Sequence, residues 1–306
     1  MQPHASAKIE RILVLGAGEL GLAVLRELAE RPAAHVSVML RPSALDAEST
    51  IKHPTLEALK NLGIEVLVGD VVNDSEQRLA AIFNGFDTLV SCLGFVAGTG
   101  TQLKLARAAL QSDIKRYVPW QFGVDYDVIG RGSPQDLFDE QLDVRDLLRN
   151  QARVQWLIIS TGMFTSFLFD PKFGVVDLND NTVHALGSWD TAVTVTTPED
   201  IGRLTAAILF EPTLINQVVY TAGDTLTYGQ LADTVDWMLE KTVERIEWTV
   251  PSLMADLAAA PTDQILKYRA VFAQGRGVAW DKARTFNAAR GINTTTVAKW
   301  IEQHLL

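Results

Sequence analysis

Six short, mostly apolar runs, each separated from the next by a stretch with helical spacing, limit what the first half of this chain can become. They lie at 11–15 (RILVL), 35–40 (HVSVML), 64–68 (IEVLV), 87–91 (DTLVS), 116–119 (RYVP) and 154–160 (VQWLIIS). Helices are expected between them over 19–31, 55–62, 75–84, 99–111 and 137–150, with Ser75 as an N-cap. Strands that are apolar throughout need cover on both faces, which a parallel sheet flanked by helices provides. Strand–helix alternation also demands right-handed crossovers. The expected fold class is α/β: a Rossmann-type doubly wound parallel sheet of order 3-2-1-4-5-6, with a smaller α/β substrate-binding lobe.

The rhythm breaks after Gly162. Strands are expected at 192–197, 218–221 and 244–250. Helices are expected at 198–210, 227–241 with Thr227 as N-cap, 253–260, 263–272 and 295–304. These elements are assigned to the smaller lobe.

The segment Gly16-Ala17-Gly18-Glu19-Leu20-Gly21 has the spacing G-x-G-x-x-G, directly after the first strand and at the opening of the first helix. In that setting Gly16 permits the tight turn, Gly18 lets the backbone approach a pyrophosphate, and Gly21 allows close helix–strand packing. The helix N-terminus then offers N–H groups and a positive dipole end to phosphate. The end of the second strand normally carries an acid when the ribose bears a free 2′-hydroxyl. Here it reads Leu40-Arg41-Pro42-Ser43. Arg41 pairs with a 2′-phosphate, which an acid would repel, so NADP(H) is the expected cofactor. Ser43 and Lys52 are candidate helpers. Gly69-Asp70 and Ser91-Cys92-Leu93-Gly94 end the third and fourth strands and should border the nucleotide. Residues 1–160 are therefore expected to form the NADP-binding domain and 161–306 the smaller lobe, either contiguous or interleaved with the first.

Composition removes other classes. A net charge of −10 without a long basic run argues against nucleic acid. The one cysteine, Cys92, allows no intrachain disulfide, and no cysteine-based or histidine-based metal spacing occurs. No leader-like start and no run of roughly 18 apolar residues is found, so no membrane partner and a cytoplasmic location are expected. No Gly-x-Ser-x-Gly elbow marks a hydrolase. None of Tyr117, Tyr126, Tyr220, Tyr228 or Tyr268 has a lysine four residues on, which removes the short-chain dehydrogenase pattern Tyr-x-x-x-Lys.

The chain resembles the NmrA-like and isoflavone reductase-like family of atypical short-chain reductases. The residues that carry the resemblance are the glycine segment with Arg41, the run from Gln102 to Ala109, and Ile114 to Pro119 leading into Trp120-Gln121-Phe122-Gly123-Val124-Asp125. Thr161-Gly162-Met163-Phe164 and Thr197 to Gly202 complete it. The resemblance implies a nucleotide domain with a smaller substrate lobe and NADPH-dependent reduction of a small aromatic or polyketide-like metabolite. It places the cofactor on Gly16, Gly18, Glu19, Leu20, Gly21, Arg41, Leu93, Gly94, Gln102, Phe122 and Phe164. Trp120, Gln121, Met163 and Phe167 are the substrate-side candidates: Met163, Phe164 and Phe167 belong to an aromatic-rich stretch after the sixth strand that reads as a pocket wall, with Phe169 as a core residue.

Two departures matter. Reductase members carry Phe-x-x-Lys-x-x-x-Arg after the Phe-Gly-x-Asp loop; here Phe138 and Arg145 match but the lysine position holds Gln141. Glutamine cannot transfer a proton near neutral pH, though it can donate a hydrogen bond. Gln141 and Tyr126 are the catalytic candidates, with Asp127 beside them. The second departure is Trp120, where the family has serine; it either narrows a pocket, offers a stacking face or packs in the core. Three readings stay open: a reductase, an NADP(H)-binding redox-sensing regulator, or a non-redox isomerase, dehydratase or cyclase.

Overall fold

The computed structural model describes residues 9–45, 54–95 and 98–306. The first elements are β1 (Glu10–Leu15), α1 (Glu19–Ala29), β2 (Ala34–Leu40), α2 (Pro54–Asn61), β3 (Glu65–Val68) and α3 (Glu76–Phe83). Next come β4 (Thr88–Ser91), α4 (Thr101–Gln111), β5 (Arg116–Val118), α5 (Tyr126–Ile129), α6 (Leu137–Arg149) and β6 (Gln155–Ser160). The later chain forms β7 (Met163–Phe164), β8 (Val176–Asp177), β9 (Thr182–Leu186), β10 (Ala192–Thr196), α7 (Pro198–Leu209), β11 (Gln217–Tyr220) and β12 (Asp224–Thr227). It closes with α8 (Tyr228–Leu239), β13 (Glu244–Trp248), α9 (Val250–Ala259), α10 (Gln264–Ala273), α11 (Phe286–Ala289) and α12 (Val297–His304).

The main sheet has the order β11-β6-β5-β4-β1-β2-β3. Its centre is apolar on both faces: Ile12, Leu13, Val14, Leu15, Leu89 and Val90 are all fully buried. The expected 3-2-1-4-5-6 order is present, and one strand is added to it. β11, assigned from sequence to the smaller lobe, runs beside β6: Asn216 N–H donates to the Trp156 carbonyl at 2.8 Å and Thr221 N–H to that of Ser160 at 2.9 Å. The two registers rise together, so the pairing is parallel. The chain inserts β7 to β10 between these neighbours, so sequence adjacency misleads about sheet adjacency.

Two three-stranded sheets complete the fold, β12-β10-β7 and β13-β9-β8. Strands β7, β8, β9 and β12 carry no clear signal in the sequence. By contact, the chain falls into two compact units. The first comprises 1–120, 143–158 and 201–217; the second comprises 121–142, 159–200 and 218–306.

Local chemistry explains the helix ends. Ser75 accepts from the Arg78 N–H and caps α3. Thr227 and Gln230 form a reciprocal capping box at the start of α8. α7 comes so close to α1 that a Cβ on Gly202 would lie 2.5 Å from the Ala23 carbonyl oxygen, which is the physical reason for glycine in that Asp-Ile-Gly segment.

Candidate functional site

The glycine turn lies in the first unit, where β1 passes into α1. Gly16 has φ +88°, a left-handed backbone that favours glycine. A Cβ on Gly21 would lie 2.2 Å from the Gly16 carbonyl oxygen. Gly18 differs from both. It caps α1 with an extended backbone and no side-chain bond, and a Cβ there would meet nothing within 4 Å. Protein packing therefore requires glycine at 16 and 21 but not at 18, where the space lies open. Glu19 is exposed and Leu20 buried. A helix leaves its first N–H groups without intrahelical acceptors, so an anion at Gly18 would find donors and a favourable dipole.

Beside the turn is a cleft of about 440 Å³. Gly16, Ala17 and Gly18 line one end; Arg41, Ala44, Leu56 and the loop from Gly69 to Val72 line the rest, with Leu93 and Gly94. Arg41 is exposed and lines the cleft, and its backbone carbonyl accepts from the Ala44 N–H at 3.0 Å. Ser43 is also exposed, in the short turn Pro42–Ala44, while Lys52 lies outside the described residues. Hydrogen bonds from Asn73 hold the Asp70 carboxyl below its ordinary range.

The β4 end is tightly built. The Leu93 side chain fills the space beside Gly16, 2.6 Å from where a Cβ would stand. Gln102 is buried and donates to the Leu93 carbonyl at 2.9 Å. Gly94 lies against the Trp120 indole, which would contact a Cβ there at 3.1 Å. Trp120 is half-buried and meets Phe95 edge-on, with ring centroids 4.7 Å apart. Cys92 keeps some accessible surface, and burial pushes the pKa of its thiol up. Such a thiol stays protonated and is no nucleophile.

The second unit holds the remaining candidates. Gln121 is fully buried and donates to the Gln141 backbone carbonyl at 2.9 Å. Phe122 is buried beside it in sequence, and the Gly123 carbonyl accepts from both Thr161 N–H and Gly162 N–H at 3.0 Å. Asp125 caps α5 through the Val128 N–H and accepts the Tyr220 hydroxyl at 2.7 Å. Met163 and Phe164 form β7, paired with Val195 and Thr196 of β10. The glycine before them is needed: a Cβ on Gly162 would lie 2.1 Å from the Thr194 carbonyl oxygen.

Gln141 stands out by its amide. It is fully buried, and neither Oε1 nor Nε2 has a hydrogen-bond partner among the described residues. Leaving a buried polar group unpaired costs about 1–3 kcal/mol. One turn earlier on the same helix, Phe138 meets Tyr126 edge-on at 5.0 Å and Tyr268 at 6.0 Å. Tyr126 is buried, with its hydroxyl against Gly123. Phe167 packs on Phe173 at 4.8 Å and on Tyr268 at 6.3 Å. The result is an aromatic cluster that joins the expected Tyr126 and Phe167 to Tyr268, which the sequence does not single out. Burial pushes the Tyr268 hydroxyl up to about 12. Phe169 leaves this cluster and stacks on Trp300 at 4.5 Å. Arg145, the arginine of the Phe-x-x-Gln-x-x-x-Arg run, is fully buried in the first unit.

Among the described residues no group of His, Cys, Asp and Glu is placed to hold a metal ion. No helix there is long and apolar enough to cross a membrane.

Known proteins share both the sequence and the fold. The family model described as NmrA-like family matches residues 8–296. An NmrA-like family domain-containing oxidoreductase of Gibberella moniliformis is 48% identical over 298 residues, covering 96% of this chain and 97% of that protein. A phenylcoumaran benzylic ether reductase of Nicotiana tabacum is 26% identical over 236 residues, covering 71% of this chain and 73% of the relative. Among solved structures, one from a study of pinoresinol-lariciresinol and phenylcoumaran benzylic ether reductases superposes with a TM-score of 0.81 at 19% identity, covering 96% of this chain and 99% of that one. The leucoanthocyanidin reductase–NADPH complex from Vitis vinifera superposes with a TM-score of 0.79 at 19% identity, covering 96% and 98%. With a match that spans nearly its whole length, the chain belongs to the NmrA-like family.

Proposed function

We propose that this protein is an NADPH-dependent reductase of a small aromatic or polyketide-like metabolite, acting on a carbonyl or conjugated bond. The observation that carries the reading is Gly18: the one glycine of the motif that protein packing does not require faces open space at a helix N-terminus. The nucleotide fits the residues present. The Gly18 end of α1 would hold the pyrophosphate on a turn shaped by Gly16 and Gly21, Arg41 the 2′-phosphate, and the apolar cleft walls the purine. The oxidoreductase named at 48% identity supports redox chemistry, and relatives named for reducing phenylcoumaran benzylic ethers support an aromatic substrate.

When bound, reduced nicotinamide supplies a hydride. This chain's own residues bind and orient. The buried Gln141 amide is proposed to donate a hydrogen bond to the substrate oxygen, which would satisfy an otherwise orphaned group. Phe167 and Tyr268, backed by the buried Phe138, would give an aromatic substrate its packing surface and exclude water. Reduction of a carbonyl also takes up a proton, and the phenols of that cluster, Tyr126, a catalytic candidate from sequence, and Tyr268, which stays protonated at neutral pH, are the groups that would supply it.

Gln141 also favours a second reading, a regulator that senses NADP(H), because no ionisable group stands at the family's lysine position. Two experiments test these readings. Calorimetric titration should give tight NADPH binding and at least about tenfold weaker NADH binding, and binding of neither nucleotide overturns the proposal. Gln141→Lys should raise turnover of aromatic carbonyl substrates if the site is a reductase. A variant that binds NADPH and consumes none favours the regulator.

A further inference from the structure

Helix α4 carries two side chains that reach backbone on different loops of the nucleotide cleft. Gln102 donates to the Leu93 carbonyl at 2.9 Å, at the β4 end. Lys104 Nζ donates to the carbonyls of Val71 and Val72, both at 3.0 Å, in the loop after β3. Residues two apart on a helix do not share a face, so the pair reaches in two directions from one rigid element.

The other side-chain bonds of the β3 loop are internal to it among the described residues. The Asp70 carboxylate accepts from the N–H groups of Val72 and Asn73 and from Asn73 Nδ2, at 2.9, 3.1 and 2.8 Å. Asp74 in turn accepts from the Asp70 N–H at 2.8 Å. These bonds fix the loop's shape but not its distance from neighbouring elements. Lys104 ties that shape to α4.

The loop so held displays what water does not favour. Val72 is 58% exposed, and Val71 and Val72 line the cleft with Met39, Leu40, Ala44 and Leu56. Holding apolar side chains in solvent is unfavourable unless something covers them, and a flat heteroaromatic ring suits a slot so lined. We propose that Lys104 is a positioning residue that sets the purine-side wall of the cleft through the Val71 and Val72 carbonyls, and thereby the affinity for the dinucleotide, without touching it. The inference rests on the nucleotide reading above.

The test is calorimetric titration of adenosine 2′,5′-bisphosphate, which carries the purine half alone, into the parent protein and its Lys104→Met and Lys104→Arg variants. Methionine keeps the helix propensity and the apolar stem while removing the donor. Lys104→Met should weaken binding about tenfold, with the thermal midpoint close to the parent's, and Lys104→Arg should restore most of the loss. Amide hydrogen exchange of the free protein gives an independent readout: residues 70–73 should exchange faster in Lys104→Met, with α4 unchanged. Parent-like affinity and exchange in Lys104→Met overturn the inference. A parent protein that binds neither adenosine 2′,5′-bisphosphate nor NADPH overturns the nucleotide reading and this inference with it.

Discussion

The three motif glycines differ in what replaces their hydrogen, and that difference separates folding from binding. An alanine at Gly21 drives its Cβ to 2.2 Å from the Gly16 carbonyl oxygen, a contact only a backbone shift relieves. An alanine at Gly18 meets no protein atom within 4 Å, and its backbone is extended rather than left-handed. Gly21→Ala should therefore lower stability by roughly 1–3 kcal/mol, as overpacking does, read as a fall in thermal midpoint. Gly18→Ala should leave the midpoint unchanged and weaken NADPH at least about tenfold. Equal nucleotide affinity in Gly18→Ala and the parent would remove the pyrophosphate role. The glycines were legible in the sequence because their spacing follows one backbone path. Tyr268 was not, because its partners Phe138 and Phe167 lie far from it along the chain. Nor was the orphaned amide of Gln141: its chemical type is in the sequence, but its lack of partners is a fact of packing.

Elements with strong local signals were readable and those without were not. The six strands of the nucleotide half and their order follow from apolar runs broken by helices. β9 was missed because its apolar residues are interrupted by His184 and preceded by polar 179–181. Its pairing with β13, from Thr182 with Glu244 to Leu186 with Trp248, is long-range and has no local signature. α8 shows the opposite case. Thr227 takes the Gln230 N–H at 3.1 Å and Gln230 returns to the Thr227 N–H at 2.9 Å. Thr227→Ala should cost about 1 kcal/mol, measured by denaturant titration, and Thr227→Ser should recover most of it. A neutral alanine variant would mean that packing of α8 alone holds its first turn.

At the scale of the whole molecule, stability should fall on both sides of neutral pH. On the acid side, burial lowers the His184 pKa from its ordinary 6.5, and the Arg269 charge adds to the effect. The imidazole stacks on Trp248 at 4.0 Å, whose ring also carries the Arg269 guanidinium at 4.4 Å. A lowered folded pKa gives stability above 6.5 that is lost as pH falls, because the unfolded chain takes the proton first. On the alkaline side, burial raises Tyr268 to about 12 and pushes Tyr117 and Tyr228 up as well, from an ordinary value of 10. Their stability is complete below pH 10 and fades above it, as the unfolded phenols ionise first. Thermal midpoints measured across pH should show both limbs. His184→Gln should flatten the acid one and Tyr228→Phe should shrink the alkaline one; limbs unchanged in both variants would remove His184 and Tyr228 as their source.

The interleaving of the two units reaches beyond physics into inheritance. Each unit is assembled from three separate stretches of chain, with changeovers after 120, 142, 158, 200 and 217. A single crossover between two related genes, wherever it falls, therefore cuts through at least one unit and mixes parental halves inside a packed core. A laboratory chimaera would have to exchange all three stretches of a unit together.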